Sequence, residues 1–263
     1  MPDPHNNPAP VAMDICEISE TWHEKDGDLV FKHSKVVLQS AEDDFFYATV
    51  SQRLPKPDEI DINALSPVRI PTEDIWPLAD SAFTRAPDPL PSTCYLKRVN
   101  LLGYEVGRKN PDLKQLILSE IQACEILREH PHPNIVRYLG CVVKDGRVTR
   151  LVFDKHPTTL RQLLEDETSF DRARCLQGIE AGVRHMHDLG LVHNDLNPTN
   201  IMMNGDNPII IDFDSCRPEG EKMGVKIGTE GWTLNGEEYA WQSNDLYSLA
   251  KIREALMGDE KER

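Results

Sequence analysis

The chain has 263 residues, 39% hydrophobic and 28% charged, which suits one large globular domain or one domain in two lobes. Its formal net charge of −15 disfavours nucleic acid and anionic membrane as partners, and no apolar run reaches the length of a membrane-spanning helix. The opening MPDPHNNPAP lacks the basic-then-apolar pattern of a secretory signal, so a cytoplasmic or nuclear location is expected.

Residues 1–12, rich in Pro and Asn, predict a disordered N-terminus. Residues 13–92 read as a β-rich extension followed by an irregular connection. The runs Leu29–Lys32, Lys35–Leu38 and Phe45–Val50 predict a small antiparallel sheet, whereas Pro55–Pro91 is rich in Pro and Asp and has no periodicity. Thr93–Val99 is the next predicted strand. Asn110-Pro111-Asp112 supplies a helix start, with an N-cap residue, a first-turn proline and an acid near the positive end of the dipole. The helix should run to about Glu129, with Leu113, Leu116, Ile117, Cys124 and Leu127 as its apolar stripe.

A hairpin is predicted from Ile135–Val143 and Val148–Phe153, closed by Lys144-Asp145-Gly146-Arg147. Thr158 or Thr159 can cap a short helix through Glu165. A longer helix over Asp171–Asp188 carries Leu176, Ile179, Val183 and Met186 and stops at Gly190. Leu191-Val192 reads as a brief strand, and Ser243 as the cap of a last helix, followed by the charged tail 258–263. Six cysteines are scattered without a CxxC pair, and most fall in predicted elements, so buried reduced thiols are expected rather than a disulfide or zinc framework.

Residues 192–214, VHNDLNPTNIMMNGDNPIIIDFD, are the most informative stretch. Two apolar runs flank Asn204-Gly205-Asp206-Asn207, a hairpin signal. Asp195 and Asn200 precede the first strand and Asp212 ends the second, so pairing brings two carboxylates and a carboxamide to one end of the hairpin. Hard cations such as Mg²⁺ take oxygen donors of this kind, usually shared with phosphate oxygens. A plain surface hairpin would account for either half of the pattern, but less readily for both in this order.

The stretch resembles the protein kinase family. HNDLNPTN is similar to the catalytic loop H-R-D-L-x-x-x-N, and Asp212-Phe213-Asp214 to D-F-G. Cys94-Tyr95-Leu96-Lys97 resembles the strand motif V-A-I-K, His132-Pro133-Asn134-Ile135-Val136 the HPNIV of many protein kinases, and Asn244-Asp245-Leu246-Tyr247-Ser248-Leu249 the D-V-W-S-L-G helix. The resemblance covers about Thr93–Ala255. It implies an α+β, two-lobed fold: an N-lobe antiparallel sheet with one helix and the hinge over 93–156, then a truncated, mainly helical C-lobe over 157–263.

The resemblance also implies roles. Asp195 would act as the catalytic acceptor of the hydroxyl proton, and Asn200 and Asp212 would hold Mg²⁺. Lys97 would grip the ATP phosphates. Its partner would be Glu120 rather than Glu125, because the family's glutamate is followed one and two turns later by apolar residues, here Cys124 and Leu127; Glu125 is then a solvated side chain. Phe153 would be the gatekeeper, and the backbone around Asp154 and His156 would bind the adenine. His193 and Phe213 would pack beneath the site, and Asp245 would clasp the catalytic-loop backbone.

Some positions depart from the family. Residues 76–92 contain no glycine where a phosphate-covering loop is expected. Asn197 replaces the catalytic-loop lysine, Asn194 the arginine that would receive a phosphate at Thr229 or Thr233, and Asp214 the DFG glycine. The leading expectation is Mg²⁺- and ATP-dependent transfer to a Ser or Thr hydroxyl of a protein substrate. The alternatives are a pseudokinase acting as a binding module and a small-molecule kinase similar to the aminoglycoside and choline phosphotransferases.

Overall fold

The computed structural model describes residues 13–25, 27–104, 113–224, 228–234 and 236–258. The expected disorder of 1–12, the helix start at Asn110-Pro111-Asp112 and the tail beyond Gly258 lie outside the described residues. The backbone divides into two compact units, Met1–Trp76 with Val99–Leu113, and Pro77–Arg98 with Lys114–Arg263. The second unit thus begins ahead of the boundary expected at residue 92.

The first unit carries an antiparallel sheet of β1 (Met13–Lys25), β2 (Asp28–Ser40), β3 (Phe45–Val50) and β4 (Val68–Arg69) in that order, followed by the single-turn helix α1 (Thr72–Ile75). Strand β1 was not expected, and β2 is one strand where two runs were read. The register gives the reason. Ile15 pairs with Leu38 and Glu17 with Val37, which leaves Cys16 as an extra residue; Thr21 pairs with His33 and Trp22 with Phe31, which leaves Lys32 as another. Each bulge reverses the in–out alternation, so neither strand keeps one polar–apolar phase along its length.

Val36, Leu38 and Ala48 form the core of this sheet, and Ile60, Ile62 and Leu65 pack on it from the irregular stretch. That apolar anchoring orders two short 3₁₀ turns, Pro57–Glu59 and Ile62–Ala64, in a segment without periodicity. Lys35 alternates to the opposite face. It is buried, and its ammonium donates to the carbonyls of Leu101 (3.1 Å), Leu102 (2.9 Å) and Tyr104. Tyr104 in turn donates its hydroxyl to Asp74 at 2.7 Å.

The second unit opens with residues 77–86, two short extended pieces joined by a turn at 80–83, and contains a three-stranded antiparallel sheet with the order β5-β7-β6. Strand β5 is Cys94–Lys97, followed by helix α2 (Leu113–Glu129), β6 (Tyr138–Lys144) and β7 (Arg147–Asp154). Asp145 (φ 51°) and Gly146 (φ 75°) close the β6–β7 hairpin, both left-handed as a two-residue type I′ turn requires. The hairpin starts at Tyr138 rather than Ile135, because Ile135 bridges Ile210 and Val136 donates to the Ile210 carbonyl at 3.0 Å.

The remainder comprises β8 (Thr158–Thr159), α3 (Leu160–Glu165), α4 (Arg172–Asp188), β9 (Leu191–Val192), β10 (Ile201–Asn204), β11 (Asn207–Ile210), β12 (Arg217–Pro218) and α5 (Gln242–Met257). Thr159 caps α3 in a reciprocal capping box with Gln162, and Asp171 caps α4 through the Arg174 N–H. Ser243 does not cap α5. The helix begins at Gln242 behind Trp241, which offers no side-chain oxygen, and Ser243 sits in the first turn. Helix α4 packs on β11 and α5. The close approach needs Gly178, since a Cβ there would lie 2.6 Å from Pro208 and 2.8 Å from the Asn134 amide. Asn134 fixes β11 by donating to Pro208 O (2.8 Å) and the Asn207 side chain (3.0 Å). Among the described residues no helix is long and apolar enough to cross a membrane.

Candidate active site

Lys97 is the last residue of β5, and its ammonium bridges two carboxylates. It lies 2.6 Å from Glu120 Oε1 on α2 and 2.6 Å from Asp212 Oδ1, just beyond β11, with Asp214 Oδ2 at 3.9 Å. Glu120 is buried, while Asp212 and Asp214 keep part of their surface open. Burial works to lower the Lys97 pKa, but the three carboxylates outweigh it and hold the ammonium well above its ordinary value. Glu120 moves the other way from a normal ion-paired acid. Burial, with repulsion from Asp212 and Asp214, pushes it from 4.5 up to about 7 despite Lys97. Among the described residues, Lys97 is the cation that these three acids face.

The β10–β11 hairpin carries the second cluster. Ile201 pairs with Ile210 and Asn204 with Asn207, so the turn is Gly205-Asp206 rather than the expected tetrad. Asp195 lies in the loop before β10, and Asn200 ends a single 3₁₀ turn, Pro198–Asn200, that Asn197 caps through the Thr199 N–H. Asn200 donates its amide to Asp195 O (2.9 Å) and Oδ2 (3.1 Å). This leaves the Asn200 carbonyl oxygen as the atom it can offer a cation. Asn197 donates to Asp195 O and Oδ1 (both 3.1 Å), and Thr229 donates its hydroxyl to Oδ1 at 2.7 Å.

Asp212 and Asn194 hold φ of 67° and 64°, the left-handed region that Asp and Asn tolerate better than bulkier residues. Asp212 is held there by its neighbours: Phe213 is buried, its ring 5.8 Å from His193, and a His193 ring nitrogen lies 2.9 Å from the Ile211 carbonyl. Asn194 is fixed by three side-chain contacts, donating to Val192 O and Ser215 O (both 3.1 Å) and accepting from Asn244 at 2.9 Å. Fully buried Asp245 accepts the His193 N–H at 2.9 Å and the Asn194 N–H at 2.8 Å, and His187 Nε2 lies 2.9 Å from it. This fixes the turn that aims Asp195.

Phe153, Asp154 and His156 stand at the end of β7. Lys97 pairs with Leu151, two residues before Phe153, so Lys97 and Phe153 share one face of the sheet. Phe153 is buried, its ring 5.5 Å from that of Tyr138. The Asp154 carboxylate is held by Arg137 at 2.8 and 3.0 Å, and burial lowers the His156 pKa. Lys97, Glu120 and Asp212 are thus directly bonded, Asp195 and Asn200 are bonded to each other, and Phe153 and Asp154 end the strand beside Lys97, with His156 two residues beyond it.

One residue was misread from the sequence, and the contact made by another was not foreseen. Glu125 is not solvated: it accepts the N–H and the hydroxyl of Thr84, both at 2.7 Å, and pairs with Arg128 at 3.1 Å. Thr229 stood out only as a possible phosphate acceptor. Its approach to Asp195 crosses 34 positions of chain and left no signal in local pattern.

The protein kinase domain family model matches residues 99–259. The chain is 30% identical over 146 residues to the serine/threonine-protein kinase PSK1 of Saccharomyces cerevisiae, a match covering 51% of this chain and 11% of that protein. It is 29% identical over 130 residues to the serine/threonine-protein kinase/endoribonuclease IRE1 of Hypocrea jecorina, covering 41% of this chain and 10% of the relative. It is 34% identical over 111 residues to the calcium/calmodulin-dependent protein kinase type II alpha chain of Drosophila melanogaster, covering 38% and 20%. The chain therefore spans only a tenth to a fifth of these relatives.

Proposed function

The chain belongs to the protein kinase family, and on that premise we propose that it transfers a phosphoryl group from ATP to a Ser or Thr hydroxyl of a protein, with Mg²⁺. The observation that carries the reading is the Lys97 bridge between Glu120 and Asp212, in the same unit as the Asp195–Asn200 pair. The Ser/Thr preference draws on the names of two relatives, the PSK1 and IRE1 kinases.

The donor set fits a divalent cation. Asp212 is partly open and Asn200 has a carbonyl oxygen to offer, both the hard oxygen donors that a divalent cation takes. Asp212 and Asn200 would hold the ion, whose chemistry is to neutralise and orient the phosphate oxygens. Lys97, steadied by Glu120, binds the phosphates of ATP. Asp195 orients the acceptor hydroxyl and takes its proton as the hydroxyl oxygen bonds to phosphorus and the bond to the ADP oxygen breaks. Thr229 and Asn197 hold the Asp195 carboxylate for that task. Phe153 and the backbone at Asp154 and His156 would receive the adenine.

One observation favours a non-catalytic binding module as the second reading. Strand β5 pairs with β7, and among the described residues no strand pairs with its other edge, where a phosphate-covering hairpin would be expected. Residues 77–86 lie instead along the β6–β7 hairpin. Thermal stability with Mg²⁺ and ATP tests the proposal. Ligand at one hundred times its dissociation constant should add about 2.7 kcal/mol. A Mg²⁺-dependent gain lost in Asp212→Asn, with phosphate transfer lost in Asp195→Ala, supports the kinase. Binding without transfer favours the module, and no binding removes the nucleotide site.

A further inference from the structure

Residues 77–86 bond to the β6–β7 hairpin at two places. Ala79 donates to Gly146 O (2.8 Å), while Val148 donates to Pro77 O at 3.0 Å, beside the Leu78–Arg147 bridge. The segment then turns and runs parallel to the outer edge of β6, where Cys141 donates to Thr84 O (2.9 Å) and Ala86 donates to Cys141 O (3.0 Å). Gly140 admits this passage. It holds φ 118°, and a Cβ there would lie 2.6 Å from Ala86 N and Arg85 C. From this position Thr84 gives both its N–H and its hydroxyl to the two oxygens of Glu125, each at 2.7 Å.

Glu125 follows Glu120 by five positions on the same helix, so the two carboxylates point about 140° apart around the α2 axis. One is tied to Lys97 and the other to the segment on β6. The buried stripe of Ile121, Cys124 and Leu127 seats α2, and two ties at well-separated angles add a finer constraint on its rotation than either one alone. Both Thr84 bonds end on the same carboxyl group, one on each oxygen, which fixes its orientation.

Resting on the kinase reading for its consequence, we infer that residues 77–86 are a strap that sets the rotation of α2, with Thr84 and Glu125 as positioning residues for the Lys97–Glu120 pair. Releasing the strap lets Glu120 turn off Lys97 and leaves Asp212 as the lysine's main partner. The phosphate-binding cation is then drawn out of position.

The test uses the full chain and four forms: wild type, Thr84→Val, Glu125→Ala and Glu129→Ala, the last an exposed residue on the same helix. Hydrogen exchange over 113–129 and Mg²⁺-ATP affinity are read together. The strap predicts faster exchange through the Glu120 turn in Thr84→Val and Glu125→Ala, with ATP bound about tenfold more weakly in both. Glu129→Ala should match wild type in both readings. Gly140→Ala keeps Thr84 and Glu125 but pushes the segment away, so it should reproduce their effect. Unchanged exchange in Thr84→Val and Glu125→Ala would overturn the strap whatever the affinities. If wild type binds no ATP, the kinase reading fails, and the exchange data alone decide whether the strap fixes α2.

Discussion

Thr229 donates its hydroxyl to the Asp195 carboxylate at 2.7 Å, and Asn197 reaches the same oxygen at 3.1 Å. With the Asn200 amide on the other oxygen, three neutral donors among the described residues therefore orient Asp195 where the family usually supplies a lysine. A phosphate on Thr229 would sit against a carboxylate, which argues against that hydroxyl as an activating phosphate acceptor. Thr229→Val keeps the shape and removes the donor. It should lower kcat about tenfold with little change in the KM for ATP, while Thr229→Ser stays close to wild type. A kcat unchanged in Thr229→Val would mean that the other partners of Asp195 suffice.

Helix and hairpin positions around the site were legible because each is announced by chemistry local in sequence: the Asp145-Gly146 turn, the Thr159 cap, the apolar spacing of α4, and Asp195, Asn200 and Asp212 around one hairpin. What stayed hidden depends on partners distant in the chain. The bulges at Cys16 and Lys32 scramble the alternation of β1 and β2, so neither reads as one amphipathic strand. Glu125 looked like any helical surface acid, because its partner Thr84 lies 41 positions away in a stretch with no periodicity. Residues 77–86 run as a strap on a hairpin edge, which neither propensity nor pattern encodes.

Glu120 gives the site a pH response whose sign follows from its raised pKa. The folded chain holds the Glu120 proton more tightly than the unfolded chain does. Its contribution to stability is therefore complete below about 4.5 and is lost as pH rises to about 7. Without Mg²⁺, wild type should lose ground to Glu120→Gln over that window and hold a constant gap above it, as read by melting temperature. Mg²⁺ beside Asp212 adds positive charge near Glu120 and favours its ionised form, so the window should move to lower pH when the ion is added. A gap independent of pH would mean that Glu120 is ionised throughout, with Lys97 outweighing its burial.

Lys35 is the main polar anchor of the first unit. Its buried ammonium donates to carbonyls of Leu101, Leu102 and Tyr104, on the connection that leads from Lys97 towards α2. Lys35→Met fills the space but leaves those carbonyls without their donor, at a cost of about 3 kcal/mol. Lys35→Arg should recover little, because a planar guanidinium cannot match a compact ammonium among converging carbonyls. Hydrogen exchange should show the loss in β2 and in residues 99–104. A cost below about 1 kcal/mol would mean that water replaces the ammonium.

Asp245 separates the role of an acceptor from that of a charge. It is fully buried and takes the N–H groups of His193 and Asn194, the two residues before Asp195. Asp245→Ala strands both donors in the interior and should cost about 3–5 kcal/mol in chemical denaturation. Asp245→Asn retains one carbonyl oxygen, so it should cost roughly half as much. Its amide nitrogen meets an N–H rather than an acceptor, which is why it falls short of wild type. Equal losses for the two variants would show that the negative charge, rather than the pair of acceptors, holds the turn that presents Asp195.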